Sequence, residues 1–257
     1  MIASFRDRLL SGEALIGTWA KTPSMISAEV LGRTPLDCIC LDAEHAPFDR
    51  ADLDAGILAL RSQSMPALVR VPALSAEHVL SSLDCGATGI VAPHVRSAAD
   101  AAALAKMCHY GAGGRGYAGS SRAAGYTTKA MADHLVDSRA ETTVIAQIED
   151  LEALDDLDAI AQVEGIDCLF VGRIDLTVAM GAASPKDAQV VEAVESICAA
   201  GVAADRRVGM FVGDLDEIPR WINAGATLFI LKSDHSFLLE GARSLRDDFD
   251  RLVSQTR

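Results

Sequence analysis

Val-Ile-Ala-Gln-Ile-Glu-Asp at 144–150 and Gly-Ile-Asp-Cys-Leu-Phe-Val-Gly-Arg-Ile-Asp-Leu at 165–176 are the stretches that decide the fold. Each contains an apolar run too short for a helix, and a short acidic helical segment separates the two. Apolar runs of this length between helical segments are typical of buried parallel strands. A carboxylate follows each run, Glu149 after the first and Asp175 after the second, at the position where α/β folds place their chemistry.

The same alternation of strand and helix recurs along the whole chain. Eight strand-like runs lie at 14–19, 36–41, 67–71, 88–92, 143–148, 166–171, 207–212 and 227–231. Helical patterns follow them, including one over 151–163 and a last one over 236–253. Eight such units in 257 residues predict one (β/α)8 TIM barrel that forms a single domain over 1–257, with a doubly wound sheet as the alternative.

Composition and charge exclude several classes of partner. The net charge is −13 and the pI is near 4.8, so we expect neither nucleic acid nor an anionic membrane surface to bind. The first ten residues carry charges where a signal peptide is apolar, and no apolar run approaches the ~20 residues needed to span a bilayer, which predicts a cytoplasmic protein. The six cysteines are scattered, and we interpret them as free core thiols.

The two strand-end carboxylates predict a metal site. Glu149 and Asp175 follow neighbouring strands and could face one pocket, and hard oxygen ligands suit Mg²⁺ or Mn²⁺. The alternative is that Glu149 caps the helix beginning near Leu151 and that Asp175 caps a turn.

Two further strand ends carry candidate catalytic groups. Arg70, within an apolar run, would be costly to bury without an anion, which suggests a carboxylate or an enolate oxygen in the pocket. The alternative is a structural salt bridge from Arg70 to Glu44 or Asp42. His45 follows Asp42 by three residues, close enough for the carboxylate to orient the imidazole and raise its basicity.

The remaining polar groups give weaker signals. The Gly- and Ser-rich stretch 110–128 contains Gly-x-Gly-x-x-Gly at 111–116, but this motif follows a helix and we reject a dinucleotide site. Arg115 and Arg122 in this loop are candidates for anion or subunit contacts, with a solvated loop as the alternative. His94 and His235 lack an obvious partner, and Lys232 is an ambiguous strand-end lysine.

Seven segments of the chain resemble a known family, the metal-dependent (class II) pyruvate aldolases of the HpcH/HpaI, or 4-hydroxy-2-oxo-heptane-1,7-dioate aldolase, family. They are Gly-Thr-Trp at 17–19, Leu-Asp-Ala-Glu-His-Ala-Pro at 41–47, Leu-Val-Arg-Val-Pro at 68–72, Leu-Asp-Cys-Gly-Ala-Thr-Gly-Ile-Val-Ala-Pro at 83–93, Gly-Gly-Arg-Gly-Tyr at 113–117, Gln-Ile-Glu at 147–149 and Gly-Ile-Asp-Cys-Leu-Phe-Val-Gly-x-x-Asp-Leu at 165–176.

The resemblance implies a role for each matching residue. Glu149 and Asp175 would ligate Mg²⁺, Mn²⁺ or Co²⁺. His45 with Asp42 would activate a water as the base, and Arg70 would hold the keto or enolate oxygen. Substrate-binding positions would be Trp19, Gln147, Gly172, Arg173, Ile174 and Asp175.

Two departures from the family pattern stand out. Where the family has Gly-Pro-small-Asp-Leu, this chain has Gly172-Arg173-Ile174-Asp175-Leu176. Arg173 restores an N–H and adds a charge, and Ile174 adds a branched side chain, so we expect a reshaped donor pocket. The segment 110–113 also lacks the family's usual prolines, which predicts a more mobile loop.

The predicted function is therefore an aldehyde-lyase. It would cleave a 4-hydroxy-2-oxo acid into pyruvate or a related 2-oxo acid and an aldehyde, or run the reverse addition. Alternatives are oxaloacetate decarboxylation or a citrate-forming condensation at the same site, and a barrel that binds a 2-oxo acid without turnover.

A homo-oligomer is predicted as well. The resemblance implies a hexamer built as a trimer of dimers. Independently, the last helical pattern carries an apolar stripe that is long for a helix covering only its own barrel: Leu238, Ala242, Leu245, Phe249 and Leu252.

Overall fold

The strands follow one another around a closed ring. The computed structural model describes residues 3–255. In chain order its elements are α1 (Phe5–Leu10), β1 (Leu15–Ala20), α2 (Met25–Leu31), β2 (Cys38–Asp42), α3 (Arg50–Ser62), β3 (Ala67–Arg70), α4 (Ala76–Asp84), β4 (Gly89–Ala92), α5 (Ala98–Cys108), α6 (Met131–Glu141), β5 (Thr143–Ile148), α7 (Leu151–Asp155), α8 (Leu157–Gln162), β6 (Cys168–Val171), α9 (Arg173–Ala179), α10 (Ala188–Ala203), β7 (Arg207–Met210), a 3₁₀ turn (Leu215–Glu217), α11 (Ile218–Asn223), β8 (Ala226–Ser233) and α12 (Asp234–Ser254).

Each strand pairs in parallel with the next, and β8 closes on β1. The predicted (β/α)8 barrel is confirmed, and the doubly wound alternative is wrong because no strand from β1 to β8 is left at an open edge. The predicted bounds of β5, 143–148, match the structure residue for residue.

Two helical segments differ from the prediction. The pattern over 151–163 is interrupted at Asp156, whose carboxylate accepts a hydrogen bond from the Ala98 N–H at 2.7 Å, so α7 and α8 are separate helices. Helix α9 has seven residues and was not predicted, because so short an element shows too little periodicity to be recognised.

The alternation along the strands produces two hydrophobic cores. One lies between the strands and the outer helices, and the second fills the barrel interior with Leu15, Trp19, Leu68, Val91, Ile145, Phe170, Leu228 and Ile230 among others. Phe5 and Leu9 of α1 join this interior cluster. Because α1 precedes β1, it closes the N-terminal end of the barrel and leaves the C-terminal end to open into a pocket. All six cysteines are buried free thiols, as predicted.

The loop over 110–128 is held by contacts within the chain. Arg115 is buried, donates to Asp84, and lies 4.7 Å from the centre of the Tyr110 ring. Arg122 donates to the Asp54 carboxylate at 2.9 Å. Both cations thus take intramolecular partners, which argues against an anion site at either.

The last helix leaves its apolar stripe uncovered. In α12, Leu238 is 71% exposed, Leu245 is 72% exposed and Phe249 is 55% exposed. A contiguous exposed apolar surface of this kind marks an interaction site more often than a free surface. Among the described residues, no helix combines the length and the apolar character that crossing a bilayer requires.

Candidate active site

A pocket of about 390 Å³ opens at the C-terminal ends of the strands. Its size is in the range of small-molecule sites. The structure brings most of the predicted site residues into its lining, namely Trp19, His45, Arg70, Gln147, Gly172, Arg173, Ile174 and Asp175. The pocket is also lined by residues that the sequence did not identify, among them Lys21, Phe211 and Ser236.

Arg70 is fixed between two carboxylates and an aromatic ring. Its Nε and Nη2 each donate to Asp42 at 2.9 Å, and its Nη1 lies 3.2 Å from Glu44. The guanidinium carbon is 4.3 Å from the centre of the Trp19 ring. The salt bridges given as the alternative do exist. These contacts leave N–H donors of Arg70 free for a ligand, because a guanidinium has five N–H donors and the Asp42 bonds use two.

Asp42 owes its acidity to this pairing. Burial raises its pKa, but the hydrogen bonds and the charge of Arg70 outweigh burial, so the pKa lies below its usual value. Lys21 adds a further cation, with its Nζ 3.1 Å from the same carboxylate. Asp42 is therefore ionised, and its main partner is the guanidinium of Arg70.

The expected pairing of Asp42 with the His45 imidazole is wrong. Asp42 accepts a hydrogen bond from the backbone N–H of His45 at 3.2 Å, while the ring Nε2 lies 3.6 Å from Glu44. The turn after β2 folds back so that the carboxylate satisfies a main-chain donor, a common use of an Asp side chain. The imidazole stays half exposed at the pocket, with Glu44 as its neighbouring carboxylate.

Glu149 does not cap the helix that follows it, so that alternative is wrong. The N-cap of α7 is Asp150, and Glu149 instead accepts hydrogen bonds from the His94 N–H at 2.9 Å and from Gln147 Nε2. A Cβ on Gly172 would lie 2.5 Å from Glu149 Oε2, so only glycine lets the carboxylate occupy this position.

His94 has the partners that the sequence did not reveal. Its ring Nδ1 is 2.9 Å from Asp150 and 3.3 Å from Glu149, and Nε2 is 3.6 Å from Glu44. Burial lowers the pKa of His94, but the Asp150 hydrogen bond and the Glu149 and Glu44 charges outweigh it and raise the pKa. The residue adopts a left-handed backbone with φ 55°, a conformation that few non-glycine residues adopt and in which histidine is enriched.

The donor set around Glu149 fits a divalent cation. Glu44, His94 and Glu149 each offer a ligand atom within 4.8 Å of the others. Burial raises the pKa of Glu44, and the nearby Glu149 charge adds to this effect, while the charges of Arg70 and His45 lower the pKa. Asp175, the other predicted ligand, lies in the first turn of α9, is exposed, and lines the pocket.

Arg173 does not present a free charge to the pocket, contrary to expectation. Its guanidinium is buried, donates to Glu217 at 2.6 and 3.1 Å, and lies 5.8 Å from the centre of the Trp221 ring. Hydrogen bonds from Arg173 lower the pKa of Glu217. The ion pair joins the β6–α9 turn to the segment after β7. Ile174 is 46% exposed and lines the pocket.

Gln147 presents an unsatisfied acceptor. Its Nε2 donates to Glu149, the orientation that a carboxylate neighbour requires, and its buried Oε1 has no hydrogen-bond partner among the described residues. A buried carbonyl oxygen without a donor costs about 1–3 kcal/mol, so a ligand hydroxyl in the pocket would find a favourable partner here.

Comparison with known proteins gives consistent matches over almost the whole chain. The family model described as HpcH/HpaI aldolase/citrate lyase matches residues 15–239. A hydroxypyruvate/pyruvate aldolase of Paraburkholderia phytofirmans is 32% identical over 93% of this chain and 94% of its own. A 5-keto-4-deoxy-D-glucarate aldolase of Salmonella arizonae is 33% identical over 96% of both chains. A solved HpcH/HpaI aldolase/citrate lyase family protein from Burkholderia cenocepacia superposes with a TM-score of 0.89 at 32% identity, covering 95% of this chain and 98% of that one.

The buried ion pair beside the pocket gives a prediction about stability. Glu217→Ala leaves the Arg173 cation buried without its carboxylate, and we expect a loss of about 2–4 kcal/mol in the free energy of unfolding. Arg173→Met combined with Glu217→Leu should lose less than the sum of the single changes, because the double variant buries no unpaired charge. Urea denaturation measures all three. The exposed Arg220–Glu195 pair is the control, and its Glu195→Ala change should cost less than about 1 kcal/mol. Equal losses at the two pairs would contradict the assignment.

Proposed function

The chain belongs to the HpcH/HpaI aldolase/citrate lyase family, a family of carbon–carbon lyases, and from this premise we propose that it is a metal-dependent aldolase. It cleaves a 4-hydroxy-2-oxo acid to pyruvate or a related 2-oxo acid and an aldehyde, and it runs the reverse addition. The observation that carries the proposal is the arrangement around Arg70, a buried cation with N–H donors to spare beside an exposed imidazole. The names of the relatives point to pyruvate and hydroxypyruvate as donors.

The reaction needs one proton moved at each end of the broken bond. In cleavage, a base takes the proton of the C4 hydroxyl, the C4–O electrons form the aldehyde carbonyl, and the C3–C4 bond breaks. Its electron pair passes into the enolate of the 2-oxo acid, which then takes a proton at C3. Addition reverses these steps, with the new bond between C3 of the donor and the carbonyl carbon of the aldehyde.

The residues of the pocket match these demands. Arg70 binds the 2-oxo acid oxygen on which negative charge develops, and its fixed position lets it act without rearrangement. His45, through a water, takes and returns the proton. Gln147 Oε1 accepts a hydrogen bond from a substrate hydroxyl, and Trp19 with the 172–175 turn shapes the donor site.

A divalent cation, when bound, would supply Lewis-acid polarisation of the 2-oxo group. Glu149 and Asp175 would hold it, and the arrangement of Glu44 and His94 around Glu149 favours a second ligand set that shares Glu149. Mg²⁺, Mn²⁺ and Co²⁺ all suit oxygen ligands with open positions.

Catalysis by His45 is tested on the donor half-reaction. His45→Ala should lower kcat for aldol cleavage by about 10²- to 10⁴-fold, the usual contribution of general acid–base catalysis, with a smaller change in KM. Exchange of the pyruvate methyl protons in D₂O, followed by NMR, isolates enolate formation. His78→Ala on α4 is the matched control. Exchange by His45→Ala at the wild-type rate would remove this residue from the mechanism.

Metal removal tests the cation and its ligands. We expect EDTA to abolish turnover while the protein stays folded, and Mg²⁺, Mn²⁺ or Co²⁺ to restore it, because an open strand-end site contributes little to folding. Glu149→Gln should abolish Mn²⁺ binding in either ligand set. The Asp175→Asn and His94→Gln variants are each titrated with Mn²⁺ in competition with a fluorescent chelator. The variant that loses Mn²⁺ affinity identifies the residue that binds the ion together with Glu149. Full activity in EDTA, measured on protein that metal analysis shows to be free of metal, would contradict the proposal.

Product analysis separates the chemical alternatives. Pyruvate with a panel of aldehydes should give 4-hydroxy-2-oxo acids. If no aldol products form, release of carbon dioxide from oxaloacetate would favour a decarboxylase. Formation of citrate from oxaloacetate and acetyl-CoA would instead favour a citrate-forming enzyme. Metal-dependent binding of 2-oxo acids without any product would favour a binding protein.

The exposed stripe of α12 is proposed to pack on a second copy of the chain in a homo-oligomer, with a hexamer as the expected form. Leu245→Asp places a charge in the apolar surface and should shift the protein toward monomer, whereas Ser244→Asp, one residue away along the helix, should not. Light scattering coupled to gel filtration measures the mass. A wild-type mass near 27 kDa at all concentrations would contradict the assembly.

A further inference from the structure

The turn between β6 and α9 carries the pocket residues from Gly172 to Asp175, and its own sequence restrains it little. The N-cap of α9 is Gly172, so no side chain caps the first turn of this seven-residue helix. Backbone hydrogen bonds link the Gly172 N–H to the Ile148 carbonyl and the Leu176 N–H to the Gly172 carbonyl, both at 3.0 Å. The position of the turn therefore depends on its contacts with other segments.

Arg173 anchors one side of the turn. Its side chain is 4% exposed, and it donates hydrogen bonds to both carboxylate oxygens of Glu217, at 2.6 and 3.1 Å. The Thr177 hydroxyl donates to the Arg173 carbonyl at 2.7 Å, which links the backbone of the same residue to α9. A bidentate pair of ionised groups restrains orientation as well as distance. Arg173 is thus held at both its main chain and its side chain.

Glu217 belongs to a segment that is itself restrained. It ends the 3₁₀ turn after β7, whose N-cap Asp214 accepts a hydrogen bond from the Asp216 N–H at 3.1 Å. Trp221 on the following helix is buried, and its ring centre lies 5.8 Å from the Arg173 guanidinium. The ion pair therefore ties the turn to a fixed part of the barrel.

The other side of the turn packs against Glu149. A Cβ on Gly172 would lie 2.5 Å from Glu149 Oε2, which shows how closely the turn approaches this carboxylate. Asp175 lies three residues further on, in the first turn of α9. The position of the turn therefore sets the separation of Glu149 and Asp175, the two residues proposed above to hold the cation.

We propose that Glu217 is a positioning residue, which acts through Arg173 to hold Asp175 where it binds the cation together with Glu149. The proposal rests on the function proposed above, because it takes Asp175 as a ligand. The ion pair then supports metal and donor binding in addition to folding. Replacing a residue that orients a metal ligand typically costs 10- to 100-fold in metal affinity.

A double variant separates positioning from stability. Arg173→Met with Glu217→Leu removes the ion pair without leaving a buried charge unpaired, so the protein should stay folded, as circular dichroism would verify. We expect its Mn²⁺ affinity, measured in competition with a fluorescent chelator, to fall by about 10- to 100-fold. At saturating Mn²⁺, KM for pyruvate in proton exchange should rise more than kcat falls, because the loosened turn must be ordered when the donor binds.

Proline offers a rescue that uses no charge. Arg173 is the first residue of α9, a position that favours proline because its fixed φ suits the helix and its missing N–H has no partner there. Arg173→Pro with Glu217→Leu should therefore recover most of the lost Mn²⁺ affinity. Recovery would show that the order of the turn supports the site, whatever the charge of residue 173.

The exposed Arg220–Glu195 pair provides the matched control. Arg220→Met with Glu195→Leu makes the same two replacements at a surface ion pair and should leave Mn²⁺ affinity and KM unchanged. Asp175→Asn, measured alongside, gives the affinity that the ligand itself supplies. A loss of Mn²⁺ affinity in Asp175→Asn, with wild-type affinity in the folded Arg173→Met, Glu217→Leu variant, would overturn the positioning role and leave the metal site intact.

These binding measurements need no aldol turnover, so the two proposals can fail separately. If no aldehyde reacts, the aldolase function fails. Weakened Mn²⁺ binding in the double variant, with recovery in the proline variant, would still support the positioning role. Aldol turnover together with wild-type Mn²⁺ affinity and KM in the double variant would instead overturn the positioning role alone.

Discussion

The buried guanidinium of Arg70 is the constraint around which the site is arranged. A cation at the end of an interior strand must be compensated, and Asp42 on the neighbouring strand accepts both of its forked hydrogen bonds. Once Asp42 is turned to Arg70, it can reach only the backbone of His45 and not its ring. The imidazole is therefore left beside Glu44 at the pocket, half exposed and able to meet a substrate.

A second consequence appears at the ends of β2, β4 and β5. Glu44, already near Arg70, also approaches Glu149, and His94 lies between them in a left-handed conformation. Burial is the main cause of the raised pKa of Glu44, and the Glu149 charge adds to it while the Arg70 charge lowers it. Glu44, His94 and Glu149 thus offer three ligand atoms within 4.8 Å of one another, a donor set that suits a divalent cation.

The departures from the family pattern redistribute charge without altering the barrel. Arg173 is neutralised by Glu217 behind the pocket wall, and this ion pair joins two neighbouring loops. Ile174, the neighbouring departure, is 46% exposed and lines the pocket.

The sequence by itself determined the barrel and many of the residues that line the pocket. Eight apolar runs of strand length, each followed by a helical segment, place Trp19, Arg70 and Gln147 at the C-terminal ends of barrel strands, where α/β folds put their chemistry. Only the tertiary structure decided which group faces which. The direction of the Asp42 carboxylate, the partners of His94 and the burial of Arg173 against Glu217 all depend on contacts between strands and loops far apart in the chain. No local pattern encodes such contacts, because the burial and the competing charges that select a partner exist only once the barrel has closed.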